Sequence, residues 1–577
     1  MYQIRRNLVI INNSYDMSSK LIIIIVATFF FINAVCSSPT STPPYKVIKY
    51  EEAEPYKPLE SPPIDEVETE SQYWREKGFE ALNEKLWRKT NTNVAKNVIF
   101  FMGDGMSIPT ITAARIYKGQ LNKRNGEENR LFFENFPYTG LSKTYCVDRQ
   151  VSDSASTSTA YMSGVKGNFM TIGVNAKVKV ADCESAKKPS NRPSSIIKWA
   201  QDSGKATGIV TNTRITHASP AGAYAHVPYR SMECDNDVRN YQLDPESCNF
   251  DIAKQLIYDE PGKNIKVLMG GGRQKFLPQK GNSIHGLGNR LDTDLIQEWK
   301  KDKIERKVNG VYASTLEELK NTNITGTDYF LGLFASGHMS YNLNRPDDQP
   351  TLSQMTETAI KLLEKNTKGF FLFVEGGKID MAHHYNEARA ALDETLEFDK
   401  AIEVAANLTD EEDTLIVVTA DHAHTMSFNG HPARGFDILG IYGRSSQGKP
   451  YATLSYANGP GYKKEETPGI PYDLENDNMS DLYYKYPAMV HLYSGAHGGD
   501  DVAVFARGPW AHLFTGNFEQ SYIPIAEAYA ANIKVPREIS SKDDTNLRSS
   551  SSITNSNLVM IIVLILTILR TNIVIGF

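Results

Sequence analysis

Three scarcities narrow what this chain can be. Cysteine is rare, with five in 577 residues, too sparse a set for a thiolate metal cluster. Positive charge is not in surplus, because 62 Lys and Arg against 68 Asp and Glu leave a formal net charge of −6. That balance gives no support to a nucleic acid or any other polyanion as partner. Long hydrophobic runs are confined to the two ends, and neither reaches the roughly 20 apolar residues that normally span a bilayer. No internal repeat is apparent. What remains, 41% hydrophobic and 23% charged, is a globular composition, long enough for one large α/β enzyme or a few ordinary domains.

The two ends read as processing signals. Arg5, Arg6 and Lys20 precede an apolar run at 21–31, and small residues follow around Cys36. This is the layout of a secretory signal over 1–36, with Met17 a natural second start. Residues 37–72 read as a Pro- and Ser-rich leader that packs little. At the far end, 536–552 read as a linker that ends in four consecutive serines, among which Ser549, Ser550 and Ser551 are candidate attachment residues. The tail at 553–577 is hydrophobic but broken by Arg570. Small residues, a polar spacer and such a tail match the signal for a glycosylphosphatidylinositol (GPI) anchor. A transmembrane helix is less well supported, since the run is short and lacks a basic cytoplasmic flank. Sequons at Asn323, Asn407 and Asn478 agree with a secretory route. Cleavage near Cys36 leaves Cys146, Cys183, Cys234 and Cys248, an even set suited to disulfides.

The most informative stretch is 370–384, FFLFVEGGKIDMAHH. Its apolar opening suits a strand buried on both faces, with Glu375 at the strand end. The helical pattern that follows puts Asp380 and His384 four apart, on one helix face, as two ligands of one metal would be. Similar strand ends recur. VIFFM at 98–102 leads into Asp104, GIVT at 208–211 into His217 and Ser219, KVLM at 266–269 into Gly270-Gly271-Gly272, and TLIVVT at 414–419 into Asp421 and His422. Helical patterns lie between them, at 194–203 and 352–365. Strands alternating with helices predict an α/β fold with a large, mostly parallel central sheet and helices on both faces. Such a sheet gathers its strand carboxyl ends along one edge. Taken singly, Asp104 is a turn residue, Asp421 a helix cap, and His422 and His424 satisfied histidines. Together the acids form a costly set of like charges unless cations hold them. Oxygen and imidazole donors without thiolate point to Zn, Mg or Mn.

Ser154 stands just before a small-residue helical stretch, VSDSASTSTAYMSG at 151–164. A helix N-terminus there favours an anionic group, although an N-cap serine has the same signature. Arg230 offers a planar fork suited to phosphate.

Several motifs in order carry a family resemblance. GDGM at 103–106, DSAS and STAY within 153–161, THASPAGAYAH at 216–226, VEGGKID at 374–380, TADHAH at 419–424 and AHGGDDVAVFARGP at 496–509 resemble alkaline phosphatases. With His217, Ser219 and the end signals, the chain is similar to the animal, membrane-anchored branch. The resemblance implies a catalytic domain over 73–535 with a crown-like insertion at 430–495. It implies Ser154 as a nucleophile that becomes phosphoserine, and Arg230 as a clamp on phosphate. It also implies two Zn2+ and one Mg2+ per chain. Asp380, His384 and His497 match the first zinc; Asp104, Asp421 and His422 match the second. Asp104, Ser219 and Glu375 match the magnesium site, with His217 reaching that ion through water. A Cys183–Cys248 disulfide, a homodimer, small phosphomonoester substrates, an alkaline optimum and an outer-surface location are implied in the same way.

The sequence also departs from the family. Met381-Ala382 replace a histidine and glycine usual in the animal enzymes, which bears on zinc affinity. Ala335 and Gln349 fall where acidic residues contribute to a calcium site, so calcium is not expected. Cys146 and Cys234 have no obvious counterparts, and whether they pair with each other is left open. Two other functions compete: a diesterase or sulfatase of the same superfamily, which the serine in DSA speaks against, and a catalytically silent surface receptor, which the full ligand set speaks against.

Overall fold

The computed structural model describes residues 65–536, apart from 245, 281–284 and 466–467. The secretory signal, the leader as far as 64, and the anchor signal with Ser549, Ser550 and Ser551 lie outside the described residues. The end of the stretch read as an extended leader is folded. Glu66–Thr69 form a 3-10 turn and Ser71–Leu86 a helix. Asp65 caps the turn by accepting from the Val67 N–H at 3.2 Å, and Glu68 pairs with Arg434.

Ten strands make one sheet. In chain order they are β1 (Asn97–Met102), β2 (Tyr138–Lys143), β3 (Ala206–Arg214), β4 (Val267–Gly271), β5 (Gly310–Ala313), β6 (Tyr329–Leu333), β7 (Phe370–Glu375), β8 (Thr414–Thr419), β9 (Val502–Arg507) and β10 (Gly516–Glu519). Their order across the sheet is β10-β2-β9-β8-β1-β7-β3-β4-β6-β5. Only β9 is reversed, antiparallel to both β2 and β8; all other neighbours run parallel. The mostly parallel α/β sheet expected from the sequence is the one that forms.

Both faces of the sheet are covered, which is why its central strands are apolar throughout. Ile99 and Phe101 of β1 join one core with the helices Ile108–Leu121, Leu352–Leu363 and Ala388–Leu408. Val98, Phe100 and Met102 point the other way, into a core with the helices Ser154–Ser163, Ile196–Asp202, Ile252–Tyr258 and Ile523–Ala530. Register then aligns the chemistry. Met102 lies opposite both Glu375 and Thr419, and Thr211 lies opposite Glu375. The carboxyl ends of β8, β1, β7 and β3 therefore share one edge.

Residues 430–495 hold a hairpin of Ile441–Arg444 with Pro450–Ala452. Leu454–Gly459 and Ala488–His491 join Met426–Phe428 in a separate three-stranded sheet. Leu454, Tyr456, Leu474 and Tyr486 anchor this segment in the core on the Phe101 side.

Cys183 and Cys248 form a disulfide. Cys146 and Cys234 do not pair; both are buried free thiols. Each is occupied within its own loop, Cys146 Sγ at 3.5 Å from Asp148 Oδ1 and Cys234 Sγ at 3.2 Å from Asp237 Oδ2. The open question of their pairing is thus answered: both thiols are free.

Candidate active site

The site is assembled from turns that leave the shared sheet edge. Asp104 follows β1 in the turn Gly103-Asp104-Gly105. Gly105 adopts φ +68°, and a Cβ there would stand 2.5 Å from His424 Cδ2, so glycine lets that ring close over the turn. Asp421 follows β8. Its Oδ1 accepts from the Gly105 N–H at 3.0 Å and its Oδ2 from the Thr157 hydroxyl at 3.2 Å. His422 Nε2 lies 3.1 Å from Asp421 Oδ2, 3.6 Å from Asp104 Oδ1 and 3.2 Å from Ser154 Oγ.

Ser154 is the first residue of the helix Ser154–Ser163, and Asp153 caps that helix through the Ser156 N–H at 3.2 Å. The other carboxylate oxygen of Asp153 accepts from Arg230 Nη1 at 3.0 Å, while Arg230 Nη2 stands 3.2 Å from His217 Nε2. The serine and the guanidinium are thereby fixed beside one another by a single aspartate. Sequence reasoning had Asp153 only as part of a motif.

Asp380 and His384 lie on the short helix Lys378–His384. Asn212 starts that helix, its Oδ1 accepting from the Gly377 and Lys378 N–H groups at 2.8 and 3.2 Å. The spacing of four works as expected, with His384 Nε2 at 3.3 Å from Asp380 Oδ2. His497, in the short strand His497–Gly498 that pairs with Ala423–His424, brings its Nε2 to 3.2 Å from His384 Nε2 and 3.6 Å from Asp380 Oδ1. The outer nitrogens of both rings meet carbonyls, His497 Nδ1 at 2.8 Å from Ser152 O and His384 Nδ1 at 2.5 Å from Gly495 O. Protons belong there, which leaves both Nε2 lone pairs facing inward, the arrangement of metal-binding histidines. His424, which the sequence reading left without a role, also reaches Asp380, with Nε2 at 2.5 Å from Oδ1.

At the third corner, Ser219 Oγ is 3.4 Å from Asp104 Oδ2. Glu375 Oε2 accepts from the hydroxyls of Thr211 and Thr213. Asp104, His217 and Glu375 present ligand atoms within 4.8 Å of one another, as do Asp104, Asp421 and His422, and Asp380, His422, His424 and His497. The structure thus gathers Ser154, Arg230 and the predicted ligand residues Asp104, His217, Ser219, Glu375, Asp380, His384, Asp421, His422 and His497 at one sheet edge. Met381 is half-buried on the ligand helix, and Ala382 packs with Tyr341, Ala390 and Ala391. Ala335 and Gln349 are buried, and Gln349 Oε1 accepts from the Ser340 N–H at 2.9 Å.

The electrostatics ask for positive charge. Burial, then repulsion from Asp380, Asp421 and Glu375, drives Asp104 well above the usual carboxylate range. Burial likewise pushes Asp421 up to about 6 and Glu375 up to about 7, against the hydrogen bonds that favour their ionised forms. Burial also works to raise Asp380, but the neighbouring His384 and His424 hold it well below its ordinary value. Burial keeps His422, His424 and His497 neutral, at about 4, 3 and 3. Asp104 Oδ1, Glu375 Oε1 and His217 Nδ1 are buried without a hydrogen-bond partner. Orphaned oxygens in a set of acids and neutral imidazoles fit divalent cations of the zinc and magnesium kind.

Glu394 supports this site from behind. Its Oε2 accepts from Asn212 Nδ2 at 3.0 Å and its Oε1 from the Asn342 N–H at 2.6 Å, so it braces the side chain that starts the ligand helix. Burial pushes Glu394 up to about 8 from an ordinary 4.5. The protonated form is favoured in the fold, so its contribution to stability is whole below pH 4.5 and is lost as pH rises toward 8. Glu394→Gln, a permanent mimic of the neutral acid, should therefore gain on the wild type in Tm as pH is raised from 5 to 9. Melting curves with a difference that does not change with pH would contradict this.

Comparisons with known proteins settle the family. A family model described as alkaline phosphatase matches residues 95–533. The chain belongs to the alkaline phosphatase family. It is 46% identical over 474 residues to the membrane-bound alkaline phosphatase of Bombyx mori, covering 81% of this chain and 86% of the relative. It is 45% identical over 484 residues to the tissue-nonspecific alkaline phosphatase of Felis catus, covering 82% and 90%. Among solved structures, the alkaline phosphatase of the Antarctic bacterium TAB5 superposes with a TM-score of 0.53 at 22% identity, over 77% of this chain and 99% of that one. The Thermus thermophilus alkaline phosphatase gives 0.54 at 22%, over 77% and 93%. Those two show the shared fold. As an alkaline phosphatase, the protein is a hydrolase of phosphate monoesters.

Proposed function

We propose that this alkaline phosphatase works through a phosphoserine on Ser154, is fastest at alkaline pH, and acts at the outer cell surface. One observation carries the reading. Ser154 Oγ and the Arg230 guanidinium are fixed by Asp153 beside a buried set of acids and imidazoles. In this reading two zinc ions and one magnesium ion are held per chain. Asp380, His384 and His497 hold the first zinc, with His424 steadying Asp380. Asp104, Asp421 and His422 hold the second. Asp104, Ser219 and Glu375 hold magnesium, with His217 just beyond. When bound, these cations supply charge that polarises the phosphoryl oxygens and makes oxygen nucleophiles available near neutral pH.

The chain's own part is positioning. The monoester dianion docks at the N-terminus of the helix Ser154–Ser163, where unpaired N–H groups and the helix dipole favour negative charge. Arg230 has spent two N–H groups on Asp153 and His217, which orients the rest of its fork toward two phosphoryl oxygens. Ser154 Oγ attacks phosphorus in line as the ester oxygen departs, giving an alcohol and phosphoserine. Water then attacks that phosphorus, and inorganic phosphate leaves as Ser154 is restored. A serine alkoxide becomes commoner as pH rises, which supports the alkaline optimum.

The location follows from weaker supports of the same reading. A relative is described as membrane-bound. Asn323, Asn407 and Asn478 are exposed, as glycan acceptors must be. A GPI anchor near Ser549–Ser551 joins these facts. A homodimer belongs here too: Met489, Val490 and Tyr493 expose apolar surface that a second copy would cover.

The test uses protein released from membranes by a phosphatidylinositol-cleaving phospholipase and compares a nitrophenyl phosphate monoester with the matching diester. The monoester should be cleaved faster by orders of magnitude. Arg230→Ala should weaken inhibition by inorganic phosphate about tenfold or more, the worth of a charged, bidentate contact. A faster diester rate, or unchanged phosphate inhibition in the variant, would reject the reading.

A further inference from the structure

Asn386 stands two residues past His384 and is held in an unusual state. Its φ is +58°, in the left-handed region that non-glycine residues seldom adopt. Its side chain is fully buried and fully bonded. Nδ2 donates to His383 O at 3.3 Å and to Asn458 O at 3.2 Å, and Oδ1 accepts from the Gly461 N–H at 2.8 Å. Its own carbonyl accepts from the Tyr486 N–H at 2.8 Å. Glycines admit the amide. A Cβ on Gly459 would stand 2.2 Å from Asn386 Oδ1, and one on Gly495 would stand 3.2 Å from Nδ2.

These bonds close a ring of contacts around two histidines. Asn458, tied to Asn386 through its carbonyl, uses Oδ1 to accept from the Ala496 N–H at 2.7 Å, beside His497. Gly495 donates its N–H to His384 O at 2.7 Å and faces His384 Nδ1 with its carbonyl. The amide thus ties the end of the helix carrying His384 to Asn458 and Gly461, and the Asn458 side chain carries the link on to Ala496, beside His497. A residue that only ended the helix would need nothing beyond a left-handed φ, which glycine meets at less cost. The bonded amide is the excess that calls for a role.

We propose that Asn386 is a positioning residue for the cation held by Asp380, His384 and His497, a clasp that fixes the His384 and His497 rings relative to each other. The inference rests on the ligand assignment proposed above. Asn386→Gly separates it from simple helix capping, because glycine keeps the backbone and deletes the amide. Asn386→Asp keeps the acceptor for Gly461 and loses both donors.

The test follows zinc release from the holoenzyme to a chromophoric chelator, with zinc and magnesium content measured at the start. In Asn386→Gly, one release phase should quicken about tenfold or more, the usual scale for loss of support behind a ligand, while the other zinc phase is unchanged. Asn386→Asp, which sets a buried carboxylate oxygen against the His383 and Asn458 carbonyls, should quicken the same phase at least as much. Hydrogen exchange at the Gly461 amide should rise in metal-free Asn386→Gly, which deletes its acceptor. Asn458→Ala, which frees Ala496 from the other side, should quicken the same phase and serves if Asn386→Gly does not fold. His384→Ala marks that phase independently by abolishing or greatly quickening it. Wild-type release in Asn386→Gly with the His384→Ala effect present overturns the clasp alone. Equal quickening of every phase overturns it too, as general loosening. A silent His384→Ala overturns the ligand assignment, and the clasp with it.

Discussion

Replacing Ser154 with alanine should lower kcat by at least about 10⁴-fold, the scale seen when a covalent nucleophile is deleted. The next hydroxyls along its helix are committed elsewhere. Thr157 Oγ1 is committed to Asp421 Oδ2 at 3.2 Å, and Ser156 Oγ to Asp153. The fold should survive, because Asp153 caps the helix and holds Arg230 without help from the serine hydroxyl. The expected pattern is a stable protein that still binds inorganic phosphate and no longer turns over. A variant that keeps a tenth of wild-type kcat would show that Oγ is not the attacking atom.

Stripping the cations should have the second-largest effect, and it should reach stability as well as rate. Asp104, Glu375 and Asp421 are buried together, and Asp104 and Glu375 each keep an oxygen with no hydrogen-bond partner. Without cations these acids must retain protons or repel one another. A ligand present at a thousandfold excess over its Kd stabilises the native state by about 4 kcal/mol. Chelation should therefore abolish monoester hydrolysis and lower Tm by several degrees or more, and zinc with magnesium should restore both. An apoprotein that melts where the holoenzyme melts would mean that this acidic cluster is held together by something other than bound ions.

Much of this was legible in the sequence because the relevant physics is local. Five residues of unbroken hydrophobicity at 370–374 predict a strand covered on both faces, and β7 is that strand. The spacing of Asp380 and His384 predicts one helix face, and the two side chains meet across one turn. Parallel strands must deliver their carboxyl ends to one edge, so Asp104, Glu375 and Asp421 could be gathered without knowing the strand order. The sequence was silent where a role depends on a distant partner. His424 reads as any buried histidine until Asp380 is seen 2.5 Å away. Asn212 lies within a strand and shows no sign of starting a helix 165 residues later, yet its Oδ1 accepts from the Gly377 N–H. Asn386 follows the ligand helix as an ordinary polar residue, and only its φ and its bonds to the insertion mark it out. Whether Cys146 and Cys234 pair was not legible either, because cysteine parity carries no geometric information, and the fold leaves both thiols free.

The central claim is that Ser154 takes the phosphoryl group onto itself beside the cluster of acids and imidazoles. It is tested most directly by mixing the holoenzyme with a labelled phosphate monoester, quenching in acid, and mapping the label by peptide. The label should lie on the peptide containing Ser154 and be missing from Ser154→Ala. Label on any other residue, or undiminished label in that variant, would contradict the account.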